Sequence, residues 1–406
     1  MLQHTTAGRH HQIDSLRIIA FGILIAYHLG MYYVSWGWHV KSGHTALGLE
    51  PLMLTVNQWR MPLVFLVSGL ALHLALAGGI RSGFLGERSR RLLLPLLFGM
   101  LLIVPPQAYV EALRNQAFSG SYPQFLLHYF SFQPWPDQAF AGSDNGLTWN
   151  HLWYLPYLMV YTLIAVLLRR WRWFWRTATS RVERLGLVGL IALPIPALMA
   201  AGNWVYPLYG GSSHDLFWDG YGHAMYFCFF LMGLLIGGQA SIWDRLCAAR
   251  WRLVLMAAVT WALFMFLRPA LAEQPGLASE QLLYLIIYLN RWIWIMAALA
   301  WSRRLLARPW KHLAYAREAV LPWYVLHQSI TVVAGYYLGA AALGPLLEPV
   351  LLVTLTVLGC ALAHHYLIRN SAPLRYCFGL PPKRAVSPPA APRSSPDRSA
   401  ASAAES

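Results

Sequence analysis

The 406-residue sequence has little charge, and least of all negative charge. Only 12% of its residues are charged, and 16 acidic residues stand against 31 lysine and arginine residues. Soluble domains carry roughly one quarter charged residues. At the same time 57% of the residues are hydrophobic. This balance argues against a soluble fold and favours a protein of the lipid bilayer.

Cysteine is also scarce, and its spacing excludes two further classes of protein. The four cysteines show no CxxC pattern and no metal-ligand spacing, so we expect neither a disulfide framework nor a metal site. They are Cys228, Cys247, Cys360 and Cys377. The formal net charge of +15 could suggest nucleic acid, but the basic residues do not fall on one shared surface. We therefore expect no nucleic-acid partner.

Long apolar runs are abundant, and runs of about 18 or more residues with few charges are typical of membrane spans. The first, from Ile18 to Val34, is longer than the apolar part of a signal peptide and lacks a cleavage site. The sequence thus predicts an all-α, polytopic bundle of about ten transmembrane helices. The predicted spans are 15–35, 55–77, 92–111, 151–168, 185–201, 223–238, 253–270, 281–301, 319–341 and 346–368.

The basic residues sort between alternate connections, as expected when short cytoplasmic loops retain positive charge. All lysines and arginines fall on one side except Lys41, Arg60, Arg114, Arg268 and Arg291. This sorting predicts that both termini are cytoplasmic and that the protein lies in the cell inner membrane. Residues 1–380 form the predicted membrane domain. Residues 381–406, rich in Pro, Ala and Ser, form a predicted disordered cytoplasmic tail.

An ionisable side chain deep in a span is costly and often functional. His28 lies roughly 20 Å along the first predicted helix, at 1.5 Å per residue. Arg17 lies on the same face, because the two positions differ by only about 20° beyond three full turns. A cation at the cytoplasmic mouth below a deep imidazole suits a long ligand with an anionic head and a reactive tail. A structural histidine bonded to a neighbouring helix remains an equal alternative for His28.

Four other segments carry candidate residues, each with a simpler alternative. Arg88, Arg90 and Arg91 match phosphate geometry, although basic residues at this place also set topology. Ser68 lies in a small-residue segment better suited to helix packing than to nucleophilic chemistry. The remaining candidates either line a cavity shared with His28 or anchor the helix at the interface; they are His151, Trp153, Tyr324 and His327.

Taken together, these segments resemble the acyltransferase-3 family of multi-spanning membrane acyltransferases. The first-helix pattern is Arg17, ten residues and His28, and the cytoplasmic arginine motif is Arg88-x-x-Arg91. Residues 65–69 (FLVSG) resemble the second-helix signature. Residues 152–155 (LWYL) and 322–327 (PWYVLH) are similar to the subgroup that contains succinyltransferases of periplasmic glucans. The resemblance covers roughly residues 10–380, and Ile18-Ile19 departs from it where many members carry a small residue.

The resemblance implies transfer of an acyl group from cytoplasmic acyl-CoA, as co-substrate, to a hydroxyl of an extracytoplasmic carbohydrate. His28 would be the catalytic residue, with Arg17, Arg88 and Arg91 near the donor and Arg90 as a further donor-binding candidate. Of the aromatic and polar outer connections, residues 202–222 suit a sugar or an interfacial belt equally well, with Trp218 and Asp219 as the candidate sugar platform. A transporter and a scaffold without turnover are the alternatives, and a homo-oligomer is one of the oligomeric states left open.

Overall fold

A computed structural model describes residues 2–136, 138–273 and 276–382. Most of the predicted tail, from residue 383 onward, lies outside the described residues. Within those ranges the chain is helical and contains no strand. The α-helices are α1 Leu2–Met31, α2 Glu50–Leu76, α3 Phe84–Phe98, α4 Pro105–Arg114, α5 Tyr122–Tyr129, α6 Tyr154–Leu168, α7 Arg172–Arg184, α8 Leu187–Ala192, α9 Ile195–Ala200, α10 Tyr206–Tyr209, α11 Gly220–Ile236, α12 Ala240–Ala248, α13 Arg250–Glu273, α14 Leu277–Leu305, α15 Leu313–Ala341, α16 Gly344–Leu362 and α17 Ala372–Cys377.

Several helices change direction where the sequence removes a regular hydrogen bond. Two adjacent prolines, Pro105 and Pro106, open α4 after a π-helical turn, and the axis bends by 45° there. Proline has no backbone N–H to donate, so the helix breaks at such a pair. The pair Gly237-Gly238 separates α11 from α12, whose axes differ by 105°. The first bend divides the predicted span 92–111, and the second lies at the end of the predicted span 223–238.

Seven helical segments of the described chain are long and apolar enough to cross a membrane, and the number rises to nine if each bent pair is one span. These nine correspond to nine of the ten predicted spans. The tenth, 319–341, lies within α15, a 29-residue helix that is not among those candidates. Its buried side chains include His327, Gln328 and Thr331, which lower its mean hydropathy. The multi-pass helical membrane fold is therefore confirmed, while the number ten and the orientation of the termini stay predictions.

Helices α2 and α11 approach each other closely because glycines face each other. A methyl group at Gly69 would collide with the carbonyl oxygen of Phe230, and one at Gly233 would collide with that of Leu66. Small residues allow this kind of backbone contact between membrane helices. Beside them the buried Phe65 stacks on Tyr226, with ring centroids 4.9 Å apart. The close pair fixes the centre of the bundle; α1 packs against α2, and α15 packs against α1.

Helices α1 and α15 lie side by side and bring two candidate residues together. Beyond the end of α1, the buried Tyr32 hydroxyl donates to the Gly335 carbonyl of α15 at 2.8 Å. At the other end of α1, Gln12 donates to Ser302 of α14 at 2.8 Å. Both bonds are buried and link distant parts of the chain. They hold α1 in a register that places His28 opposite α15.

Candidate functional site

A cavity of about 570 Å³ lies where α1, α2, α11, α14, α15 and the short turn before α6 meet. Three connecting segments that the charge pattern predicts to be extracytoplasmic also line it, near residues 38–39, 141–150 and 212–214. The predicted residues His28, His151, Trp153 and Tyr324 all line this cavity. His327 stands directly behind His28. The structure thus brings together candidates that are separated by up to 299 residues along the chain.

His28 and His327 are joined by a hydrogen bond between His28 Nδ1 and His327 Nε2, 2.8 Å long. The rings are nearly parallel, with 4° between their planes. His327 Nδ1 faces the carbonyl oxygens of Tyr324 and Trp323 at 2.8 and 3.1 Å. Since a carbonyl only accepts, Nδ1 of His327 carries the proton and its Nε2 accepts from His28. His28 Nδ1 is then the donor, and its Nε2 keeps an unshared electron pair.

His151 supports this pair from the 3₁₀ turn Asn150–Trp153, which precedes α6. Its Nε2 donates to the Val325 carbonyl at 3.1 Å, and its ring stands perpendicular to that of His327, 5.3 Å away. The Tyr324 hydroxyl donates to the His151 carbonyl at 2.5 Å. Both residues are buried. They therefore fix the segment of α15 that carries His327.

A further imidazole of the cavity, His39, was not predicted from the sequence. Its Nδ1 lies 2.7 Å from Glu111 Oε2, and Gln328 donates to its Nε2 at 2.9 Å. Gln328 also donates to the Asn150 side chain at 2.7 Å. His39 lies in an irregular loop, 72 residues from its carboxylate partner. No periodic pattern marks it; a carboxylate at the end of a predicted span was the only signal.

Three of the predicted arginines cluster at the predicted cytoplasmic side. Arg17, Arg88 and Arg91 are close enough to interact electrostatically. Asp14 accepts from Arg17 at 3.2 Å, and Glu87 pairs with Arg91 at 2.5 Å.

Arg88 differs from the other two because it takes part in no ion pair among the described residues. Its Nε, like that of Arg17, is buried and has no hydrogen-bond partner there. Arg90 turns away from the cluster and lies over the ring of Tyr376, 5.1 Å from its centre. The cationic cluster thus has three members, and Arg90 is not one of them.

A layer of aromatic side chains separates this cluster from the cavity. Phe21 of α1 packs edge-on against Tyr154 and Tyr324, with ring centroids 5.9 and 5.3 Å apart. Tyr154 also interacts electrostatically with Arg17 and Arg88. All three rings are buried, so they fill the space between Arg17 and His28.

Ser68 belongs to the same layer and does not line the cavity. Its hydroxyl donates to the Val64 carbonyl at 2.8 Å and lies 2.5 Å from the Tyr154 hydroxyl. The neighbouring Tyr154 ring separates Ser68 from Tyr324 and the histidines. Ser68 therefore holds the aromatic layer in place within α2.

Tryptophans form much of the outer part of the cavity. Trp38, Trp149 and Trp153 line it, and His214 stacks on Trp153 with centroids 4.1 Å apart and 17° between the planes. Burial lowers the pKa of His214 to about 4. The loop that carries it contributes serines as well as this imidazole to the cavity.

Two other residues of that loop, which suggested a sugar platform, lie elsewhere. Trp218 is 75% exposed and does not line the cavity. Asp219 is fully buried and accepts hydrogen bonds from Tyr157, from Ser212 and from the Gly222 amide. Asp219 thus caps α11 and ties the loop down, which is a structural role.

Comparisons with known proteins identify the family. The sequence profile of the acyltransferase domain family known as acyltransferase-3 matches residues 10–365. Glucans biosynthesis protein C of Escherichia coli K12 is 24% identical over 181 residues, which is 44% of this chain and 42% of that protein. The corresponding proteins of strains SMS-3-5 and O1:K1 show the same identity and coverage.

The alignment therefore spans about two fifths of the curated relatives' length. No solved structure matches the chain. The family profile, however, covers most of the sequence, and every residue that lines the cavity lies within the matched range. The chain belongs to the acyltransferase-3 family and is a multi-pass membrane protein.

Proposed function

We propose that the protein transfers an acyl group, acetyl or succinyl, from cytoplasmic acyl-CoA to a hydroxyl of an extracytoplasmic carbohydrate. The observation that carries the proposal is the bonded pair of His28 and His327 in the cavity wall. The pair leaves one nitrogen of His28 able to accept a proton. Family membership supports acyl transfer and argues against the alternatives of a transporter and a scaffold.

In this reaction the oxygen of the acceptor hydroxyl attacks the carbonyl carbon of the thioester, and His28 Nε2 takes the hydroxyl proton. The carbon–sulfur bond then breaks as the tetrahedral intermediate collapses to the ester, and the leaving thiolate of CoA receives the proton from the His28 imidazolium. The products are the ester and free CoA. His327 accepts from Nδ1 throughout, so it orients the ring and stabilises the imidazolium while it exists.

The donor's phosphates bind the cluster of Arg17, Arg88 and Arg91, because guanidinium groups match phosphate oxygens. The acyl-pantetheine arm then has to pass the aromatic layer to reach His28. Phe21, Tyr154 and Tyr324 fill that space in this structure, so their side chains rotate aside when the donor binds. Arg88 is the cation of this cluster that gains most from a phosphate, because Arg17 and Arg91 each pair with a carboxylate and Arg88 has no such pair among the described residues.

The acceptor occupies the outer part of the cavity. Indole faces of Trp38, Trp149 and Trp153 offer stacking surfaces, and Asn150 and Gln328 offer hydrogen bonds. A sugar needs both, because its faces are apolar and its rim carries hydroxyls. The similarity to a glucans biosynthesis protein of E. coli favours a glucan.

Mass spectrometry of envelope glycans and lipids from cells with and without the gene tests the reaction. We expect one class of glycan to lose the acyl mass, and complementation to restore it. Identical glycans in both strains would contradict the proposal. Binding of CoA to the purified protein in detergent separates an acyltransferase from a transporter, which has no need to bind CoA.

A further inference from the structure

We propose that Arg60 and Arg291 form a subsite for an oxyanion, a carboxylate or phosphate group carried by one of the two substrates. Both arginines line the cavity that contains His28. The inference rests on the proposed function, since it names the chemistry of a substrate of the same site. It assigns a role to two residues that the acyl-transfer step does not use.

The position of these arginines requires an explanation, because basic residues are rare on the predicted outer side. Two of the others there hold loop backbone: Lys41 donates to the Met31 carbonyl at 2.6 Å, and Arg114 donates to the Trp38 carbonyl at 2.9 Å. Arg268 is exposed on α13. Only Arg60 and Arg291, among the described basic residues of that side, line the cavity.

Neutral groups hold Arg60 in place. Its guanidinium lies 3.6 Å from the centre of the Tyr27 ring and donates to the Asn57 side chain at 3.1 Å. Its Nε is buried and has no hydrogen-bond partner among the described residues. The guanidinium is therefore oriented but its charge is not neutralised.

Arg291 is held in a similar way. Its Nε donates to the Gln58 carbonyl at 2.7 Å, and its Nη1 contacts the sulfur of Met225 at 2.6 Å. Thioether sulfur is a weak acceptor, so an oxyanion would be a better partner for that N–H group. Tyr288 lies beside the guanidinium, with its ring centre 5.7 Å away.

No acidic side chain of the described chain neutralises this pair. Neither arginine takes part in an ion pair there, and the cavity lining contains no Asp or Glu. The nearby carboxylates are engaged elsewhere, Asp219 with Tyr157 and Glu111 with His39. Charges withdrawn from water are costly unless they are paired, so an anionic ligand fits the subsite.

The subsite adjoins the reacting centre. Arg60 interacts electrostatically with His28, and both arginines interact with Tyr226. An anion bound there lies on a substrate whose reacting atom reaches His28. Two sources share this chemistry: the free carboxylate of a dicarboxylic acyl group, and an acidic group on the acceptor.

Kinetics of Arg60→Gln and Arg291→Gln in membranes distinguish these sources, with Arg268→Gln as the matched control. If the anion is on the acyl group, the ratio of kcat/KM for succinyl-CoA over acetyl-CoA falls 10- to 100-fold in both variants. If it is on the acceptor, the ratio is constant and the KM of an anionic acceptor rises at least tenfold relative to a neutral one. Arg60→Lys, which retains the charge, shows a smaller change. Changes below twofold in both quantities would overturn the proposal.

A binding measurement separates the subsite from the reaction. Succinate and inorganic phosphate are added to the purified full chain in detergent, and thermal unfolding is followed. We expect at least one anion to raise the Tm of wild type and Arg268→Gln, and to have no effect on Arg60→Gln or Arg291→Gln. If this pattern holds while no donor supports acyl transfer, the proposed function fails and the subsite stands. Equal responses in all four proteins would refute the subsite.

Discussion

Replacing His327 tests whether the bond between the two imidazoles makes His28 a base. In His327→Leu the acceptor for His28 Nδ1 is lost, whereas in His327→Gln the amide oxygen can take the place of Nε2. The bond measures 2.8 Å and is buried on the side of His327. During transfer it becomes a bond to an imidazolium, and hydrogen bonds to charged groups contribute about 1.5–3 kcal/mol.

That energy corresponds to a loss of about 10- to 150-fold in kcat for His327→Leu, since 1.4 kcal/mol is a factor of ten. His327→Gln should retain activity within about tenfold of wild type, because it keeps an acceptor for the charged form. The KM for acyl-CoA should change little in either variant, since the arginine cluster lies beyond the aromatic layer.

Initial rates of acyl transfer from labelled acyl-CoA, measured in membranes with matched protein levels, give both parameters. Thermal unfolding in detergent checks that each variant is folded. Equal kcat values for His327→Leu and wild type would refute the reasoning. So would an equal loss in the Leu and Gln variants when both are folded, because the acceptor would then not matter.

Three further predictions concern the donor site, pH and packing. The double change Arg88→Ala, Arg91→Ala should raise the KM for acyl-CoA at least tenfold and leave kcat within a few-fold of wild type. Initial rates measured over a range of acyl-CoA concentrations check this, and a fall in kcat alone would contradict it. Burial lowers the pKa of His214 from 6.5 to about 4. The unfolded state therefore takes up a proton before the folded state does, and the free energy of unfolding falls between pH 6.5 and pH 4 by about 3 kcal/mol at most. Thermal unfolding across that range should show this loss in wild type and a smaller loss in His214→Gln. Gly233→Ala should destabilise by about 1–3 kcal/mol through backbone collision, whereas Gly22→Ala, with open space around it, should be neutral or stabilising; equal Tm values would contradict the close packing.

The sequence predicted the features of the fold that depend on composition and spacing. Apolar runs located the helices, and nine of the ten predicted spans correspond to candidate spans of the structure. The bends at Pro105 and at Gly237-Gly238 follow from local chemistry but were not predicted. Helix α15 shows where hydropathy fails to recognise a span. Its polar side chains lower its mean hydropathy, although they are buried inside the bundle.

The site was predictable only in part. Helical spacing placed Arg17 and His28 on one face, and depth indicated that His327 belongs with His28. The contact of His39 with Glu111 joins residues far apart in an irregular loop and a bent helix, and no periodicity reveals such a pair. The aromatic layer between Arg17 and His28 was likewise unpredicted, because it depends on three helices packing together.

The change His28→Asn tests the central claim most directly. The Asn amide can still donate toward His327 from the place of Nδ1, but it has no counterpart of Nε2, the nitrogen that takes the hydroxyl proton. Acyl transfer from labelled acyl-CoA, measured in membranes with matched amounts of folded protein, should fall about 10²- to 10⁴-fold, the range that general bases contribute. Transfer at the wild-type rate in His28→Asn would contradict the account.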